Sequence, residues 1–154
     1  MAGFQLAPTA ASEGFRFEAH DVVGSTNALA LDQARAGDPG RLWIVSKRQE
    51  SGRGRRGRVW ATPQGNLAAT LLVVIDGDLK GAATLGFVAG LALADALDAV
   101  VPGSRISVGL DGAGSGRNRF ELKWPNDVLA SGAKLAGILL ESTLLGEGRF
   151  AVAV

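Results

Sequence analysis

Between Gly52 and Val59 the chain reads Gly-Arg-Gly-Arg-Arg-Gly-Arg-Val, with four arginines in the six positions 53–58. Guanidinium groups this close repel one another and cannot be buried unpaired, while the glycines let backbone N–H groups approach a ligand. The chemistry that suits such a segment is the gathering of a polyanion, a phosphorylated ligand above all. At about 4 Å and an effective dielectric of 20, one charge pair is worth on the order of 4 kcal/mol before desolvation. Such a loop is expected to be mobile alone and to order against its anion. A solvated basic loop or a nucleic-acid patch has the same composition, and on composition alone that alternative stays open. Three pattern matches fall away. The G-x-G-x-x-G spacing of a dinucleotide turn must open a helix, yet Trp60, Thr62 and Pro63 follow. The kinase-like G-x-G-x-x-G-x-V lacks its H-R-D and D-F-G partners, and no Walker A segment exists.

Two further segments carry chemistry. Lys123-Trp124-Pro125-Asn126-Asp127 sets a cation, an aromatic and two oxygen-bearing side chains around a proline at the end of a strand, and it also reads as an ordinary turn. Lys134 to Glu141 (KLAGILLE) is apolar on both alternating faces, which predicts an interior strand with a lysine at its mouth. That lysine either snorkels to water or points into a site.

The elements that must position these groups are legible in outline. A strand is expected around Phe15 to Val23. Ser25 stands at an N-cap ahead of a helix over residues 27–36 that stops at Gly37. Residues 42–46 and 66–75 read as strands, with a loop over 47–60 between them. Residues 81–99 are apolar almost all round and predict a core helix. Strands are expected at 105–108, 120–123, 128–130, 134–141 and 149–154. Ser131-Gly132 is expected as a tight turn, and Gly109 to Gly116 as a glycine-rich connection. The fold class expected is α+β, a mixed and largely antiparallel sheet with a few packed helices and no regular βαβ alternation.

Composition closes off other classes. The 154 residues are 47% apolar and 20% charged, one domain's worth of chain. No cysteine and a single histidine, His20, exclude disulfides, thiolate metal sites and a histidine-built centre. No uninterrupted apolar run of 18 residues is read, so a spanning helix is not expected, and residues 1–13 carry no secretory pattern. The net charge is +1, but six cations against the one acid Glu50 fall between Lys47 and Arg58.

Ser25-Thr26-Asn27, then Gln49 with the arginine–glycine loop and Trp60, then KWPND, then KLAGILLE, in this order, resemble the catalytic domain of a biotin–protein ligase from about Val23 to the last residue. The resemblance implies ATP- and Mg²⁺-dependent activation of biotin to biotinyl-5′-AMP. Biotin then passes to one lysine of a biotin carboxyl carrier domain of a carboxylase. It implies catalytic roles for Arg55, at the phosphate of the intermediate, and for Lys134, against the biotin carboxylate and the α-phosphate. Biotin contacts are implied for Ser25, Thr26, Asn27, Gln49, Gly52, Arg53, Gly54, Arg55, Lys134 and Gly137. Nucleotide contacts are implied for Arg55, Arg56, Gly57, Arg58, Trp60, Asn126 and Lys134. Lys123 lines the same region, and Asp127 is the candidate Mg²⁺ position. Trp60 resembles an adenine-stacking aromatic and reads equally as a loop anchor; Ser25 reads equally as an N-cap.

The family pattern continues into a G-x-G-[IV]-N segment and a small β-barrel. The expected extent is therefore a catalytic domain, residues 1–154, without those parts and without a preceding helix-turn-helix. A cytoplasmic protein is expected, with no nucleic-acid or membrane partner and with a homodimer left open. Two other readings remain: a lipoate ligase of the same fold, whose substrate has no ureido group for Ser25, Thr26 and Gln49 to bind, and an arginine-rich nucleic-acid module.

Overall fold

The computed structural model describes residues 3–101 and 120–154 and the backbone of residues 106–109. The expected connection at Gly109 to Gly116 lies, beyond Gly109 itself, outside the described residues, as does Arg105. The chain divides into two units, Met1–Leu79 with Glu141–Val154, and Lys80–Leu140.

The first unit holds helix α1 (Pro8–Ser12), strand β1 (Arg16–Val23), helix α2 (Thr26–Arg35) and strand β2 (Leu42–Gln49). Strand β3 (Ala68–Asp76) follows, and strands β8 (Glu141–Gly146) and β9 (Arg149–Ala153) come from the end of the chain. These strands form one sheet in the order β1-β2-β3-β9-β8. β1 and β2 pair in parallel and every other pair is antiparallel, so the sheet is mixed as expected. The parallel pair is a single β-α-β crossover through α2. The Ser25 hydroxyl accepts from the Ala28 N–H, which caps α2 as the sequence predicts. α2 lays Ala30, Leu31 and Ala34 on Leu42, Ile44, Leu72, Ala151 and Ala153, the core of this unit. Small residues on the helix keep it close to the sheet. β9 runs between β3 and β8, which is why its side chains at 151–153 are buried.

The second unit holds α3 (Leu79–Ala82, starting one residue earlier), α4 (Leu85–Val100), β4 (Ile106–Gly109), β5 (Phe120–Lys123), β6 (Asp127–Ala130) and β7 (Ala133–Gly137). Its sheet runs β4-β5-β6-β7. Ala82, Gly90, Phe120, Glu121, Leu122 and Val128 are buried here, and Gly90 of α4 packs on Leu122 of β5. Ser131 (φ 49°) and Gly132 (φ 80°) make the tight β6–β7 turn that was expected.

Several expectations are corrected. The 134–141 segment is two strands, not one. β7 ends at Gly137 and Glu141 begins β8 in the other sheet. β7 is an edge strand with most side chains exposed rather than an interior one, because it closes its sheet on one side only. Helix α4 is not a core helix: Gly90 alone is buried, while Phe87, Val88, Leu91 and Val100 are exposed. An all-round apolar sequence does not say how many faces find partners. The span Leu79–Val100, 22 residues, holds an 18-residue window of mean hydropathy 1.6 and by length and composition alone is long and apolar enough to cross a membrane, although no uninterrupted apolar run reaches that length. Finally, β2 continues through Gln49, taking residues 47–49 out of the expected loop.

Candidate functional site

The first unit gathers the motifs at residues 25–27 and 49–60. Backbone bonds from Glu50 N–H to Val23 O (2.9 Å) and from Ser51 N–H to Gly24 O (2.8 Å) carry the β1–β2 pairing past the strand ends. They bring the N-terminus of α2 against Gln49. The Gln49 Oε1 then accepts from the Thr26 N–H at 2.8 Å and the Thr26 hydroxyl at 3.0 Å, and Gln49 Nε2 donates to Thr62 Oγ1 at 3.3 Å. Thr70 Oγ1 lies 2.6 Å from Asn27 Oδ1 and 2.8 Å from Thr26 Oγ1, so its one proton serves either acceptor. Asn27 Nδ2 donates to Glu141 Oε2 at 3.0 Å, which fixes which way the amide faces. Ser25, Thr26, Asn27, Thr62 and Thr70 are all buried. Such a run of hydroxyls and amides beside the chain's apolar core is built to meet a compact polar group from several directions.

The arginine–glycine loop leaves this cluster as a small hairpin. Trp60 N–H donates to Gly52 O at 2.9 Å, Gly54 N–H to Arg58 O at 2.7 Å, and Arg53 bridges Val59. Gly52 is obligatory: a Cβ there would sit 2.3 Å from the Trp60 carbonyl oxygen. At the tip, Arg55–Gly57 form a single 3-10 turn with Arg56 (φ 58°) and Gly57 (φ 71°) left-handed. The loop is thus shaped at its base by its own backbone. Arg55, Arg56 and Arg58 are exposed and Trp60 is half-buried.

In the second unit, Lys134 Nζ pairs with Asp127 Oδ1 at 2.8 Å, and the same oxygen accepts from Asn126 Nδ2 at 3.0 Å. Register explains the grouping, since Asp127 is paired with Lys123 on β5 and with Gly137 on β7. Ile138 N–H donates to Asn126 O at 2.7 Å. The Trp124 ring stacks on Phe87, centroids 4.0 Å apart. Among the described residues no group of three His, Asp or Glu could cage a metal.

Two sets of expected residues are therefore brought together: Ser25, Thr26, Asn27, Gln49, Gly52, Arg53 and the rest of the loop through Trp60 in one unit, and Lys123, Asn126, Asp127, Lys134 and Gly137 in the other. Sequence reasoning missed Thr62, Thr70 and Glu141 as members. Thr70 was findable, because it falls on the alternation Ala68, Thr70, Leu72 that faces the core. Glu141 was the one acid ending an apolar run. Thr62 carried no signal.

The model of the Biotin/lipoate A/B protein ligase family matches residues 20–154. The chain is 48% identical over 131 residues to a biotin–[acetyl-CoA-carboxylase] ligase of Paracoccus denitrificans, covering 84% of this chain and 48% of that protein. It is 42% identical over 127 residues to a protein of the same name from Mycobacterium tuberculosis, covering 79% and 43%. Among solved structures it is similar to the biotin protein ligase of Leishmania major in complex with biotinyl-5-AMP, with TM-score 0.62, 27% identity, and 90% of this chain and 55% of that one covered. It is also similar to the Aquifex aeolicus enzyme in complex with biotin and ATP, with TM-score 0.59, 26% identity, and 90% and 50% covered. The chain spans about half the length of the curated relatives it matches. With four motifs in order and a family model that matches residues 20–154, the chain belongs to the Biotin/lipoate A/B protein ligase family.

Proposed function

We propose that the chain carries the biotin- and nucleotide-handling part of a biotin–[biotin carboxyl carrier protein] ligase in the cytoplasm. The observation that carries this reading is the buried Thr26–Gln49–Thr70–Asn27 network beside the arginine loop. Its hydroxyls and amides offer both donors and acceptors, the pattern a cyclic urea requires and a dithiolane lacks.

In the reaction, a biotin carboxylate oxygen attacks the α-phosphorus of ATP, and the bond to the departing pyrophosphate breaks. Both reactants are anions, so the work of the protein is to gather and orient them and to neutralise developing charge. Arg55 serves the phosphate of the mixed anhydride, and Lys134 the biotin carboxylate and α-phosphate. Trp60 offers a flat face to adenine. The hairpin, closed over the product, excludes water from the anhydride. The carrier lysine amine then attacks the acyl carbon, loses a proton and expels AMP. Mg²⁺ is commonly held by one or two carboxylates together with substrate phosphates. The Asp127 carboxylate with the Asn126 amide suits such a shared site, where the ion would offset triphosphate charge.

The test incubates the chain with biotin, ATP and Mg²⁺ and follows biotinyl-5′-AMP by mass spectrometry, with a carrier domain added in a second step. Adenylate formed from biotin supports the reading; adenylate formed from lipoate in its place contradicts it.

A further inference from the structure

We propose that Glu141 is a positioning residue that turns Arg53 into the tether of the arginine–glycine loop and joins the loop to the buried polar cluster. Its carboxylate is divided between two partners. Oε1 lies 3.2 Å from an Arg53 guanidinium nitrogen, and Oε2 accepts from Asn27 Nδ2 at 3.0 Å. The Glu141 side chain is 25% exposed and that of Arg53 46%, so the pair is only partly screened by water. Arg53 also forms the base of the hairpin through its bridge to Val59. Glu141 therefore grips the loop at the point where its two strands come together.

The other carboxylate oxygen orients Asn27, whose amide oxygen faces Thr70, and Thr70 adjoins Thr26 and through it Gln49. One acid thus connects the loop base to every buried side chain of the network. The charge arithmetic changes as well. With Arg53 matched to Glu141, the exposed arginines at 55, 56 and 58 lie beyond the tether. The first arginine of the loop holds it in place while the later ones meet the ligand. The tether stands on geometry alone; its consequence for ligand affinity rests on the proposed biotin reading.

Trypsin cuts after arginine, so the loop reports its own closure. In Glu141→Gln, cleavage within residues 53–58 should run on the order of fivefold faster than in the parent, with the thermal midpoint little changed. Arg53→Gln should open the loop to the same degree, as read by cleavage after Arg55 and Arg58. The double variant should be no faster than either single one, the mark of one shared interaction. Arg53→Lys, which keeps a cation, should stay closer to the parent than Arg53→Gln. Calorimetric titration with biotin should show Glu141→Gln several-fold weaker than the parent.

Parental cleavage rates in Glu141→Gln, or additive effects in the double variant, overturn the tether. Faster cleavage with parental biotin affinity overturns the connection to the cluster. A parent that binds no biotin overturns the functional reading instead, and the cleavage arm then decides the tether by itself. Arg53→Gln and the double-variant comparison serve the same purpose if Glu141→Gln alone does not fold.

Discussion

The two sets of candidate residues, one in each unit, are built on opposite principles. In the first unit Thr26, Asn27 and Thr70 are buried, and their polar atoms bond one another, Gln49 and Glu141. In the second, Lys134 and Asp127 sit on an edge strand and its neighbour, with side chains 40% and 25% exposed. A buried network is pre-shaped, and removing one member strands the others; an exposed pair costs little to break. The difference separates what a residue does for the fold from what it does for the reaction. Variants at Thr26, Asn27 and Thr70 should report both, and variants of the exposed loop and of the Lys134–Asp127 pair should report function with little loss of stability.

The sharpest way to break that contrast is Lys134→Ala. Loss of a transition-state cation should lower adenylate formation by about 10²–10³. The ion pair with Asp127, half-open to water, contributes about 1 kcal/mol, so the melting temperature should move far less than on loss of a buried network member. Adenylate synthesis at parental rate would remove Lys134 from the reaction; a collapse in melting temperature would show that the second unit is not the loosely held half described here.

Thr70→Val comes next. It preserves shape and deletes the buried hydroxyl between Thr26 and Asn27, removing the hydrogen bond that Thr70 gives Asn27 Oδ1, at a cost of about 1–3 kcal/mol. Thermal unfolding should show the destabilisation and titration with biotin a parallel loss of affinity. A stable variant with parental affinity would mean the network does not shape the pocket.

Arg55→Gly tests the hairpin tip, where the side chain is exposed and little stability is at stake. The expected outcome is escape of the adenylate, seen as labelling of lysines outside the carrier domain by streptavidin blot. A variant as selective as the parent would contradict the clamp.

The smallest effect lies away from the site. Burial pushes the Asp38 carboxyl up, but the Arg16 guanidinium and the Gly40 N–H together hold it below its ordinary value. A carboxylate lowered in the folded state contributes stability above its unfolded pKa and loses it as pH falls through the folded value. The parent should therefore lose part of its stability below about pH 4, and Asp38→Asn less of it. Equal pH profiles for the two would show that the Arg16–Asp38 pair contributes nothing.

The sequence disclosed local events better than distant ones, for a physical reason. Ser25 at a helix start, the turn at Ser131-Gly132 and the strand at 149–154 are written in adjacent residues. The break after Gly137 is not local. KLAGILLE keeps an apolar alternation through a point where the chain changes sheets, and only tertiary pairing ends β7 there. Likewise the apolar periodicity of α4 could not say that a single residue, Gly90, would be buried. At the site, the loop and Lys134 stood out by charge. Thr70 and Glu141 act through partners 43 and 114 residues away, a pairing that reading along the chain does not reveal.

The central claim is that the buried hydroxyl–amide network is a pocket for the ureido ring. Titration calorimetry of the chain with biotin, and separately with lipoate, tests it most directly, with Thr70→Val alongside. The account predicts heat of binding with biotin, none with lipoate, and weakened biotin binding in Thr70→Val. Binding of lipoate, or biotin affinity indifferent to Thr70, would contradict it.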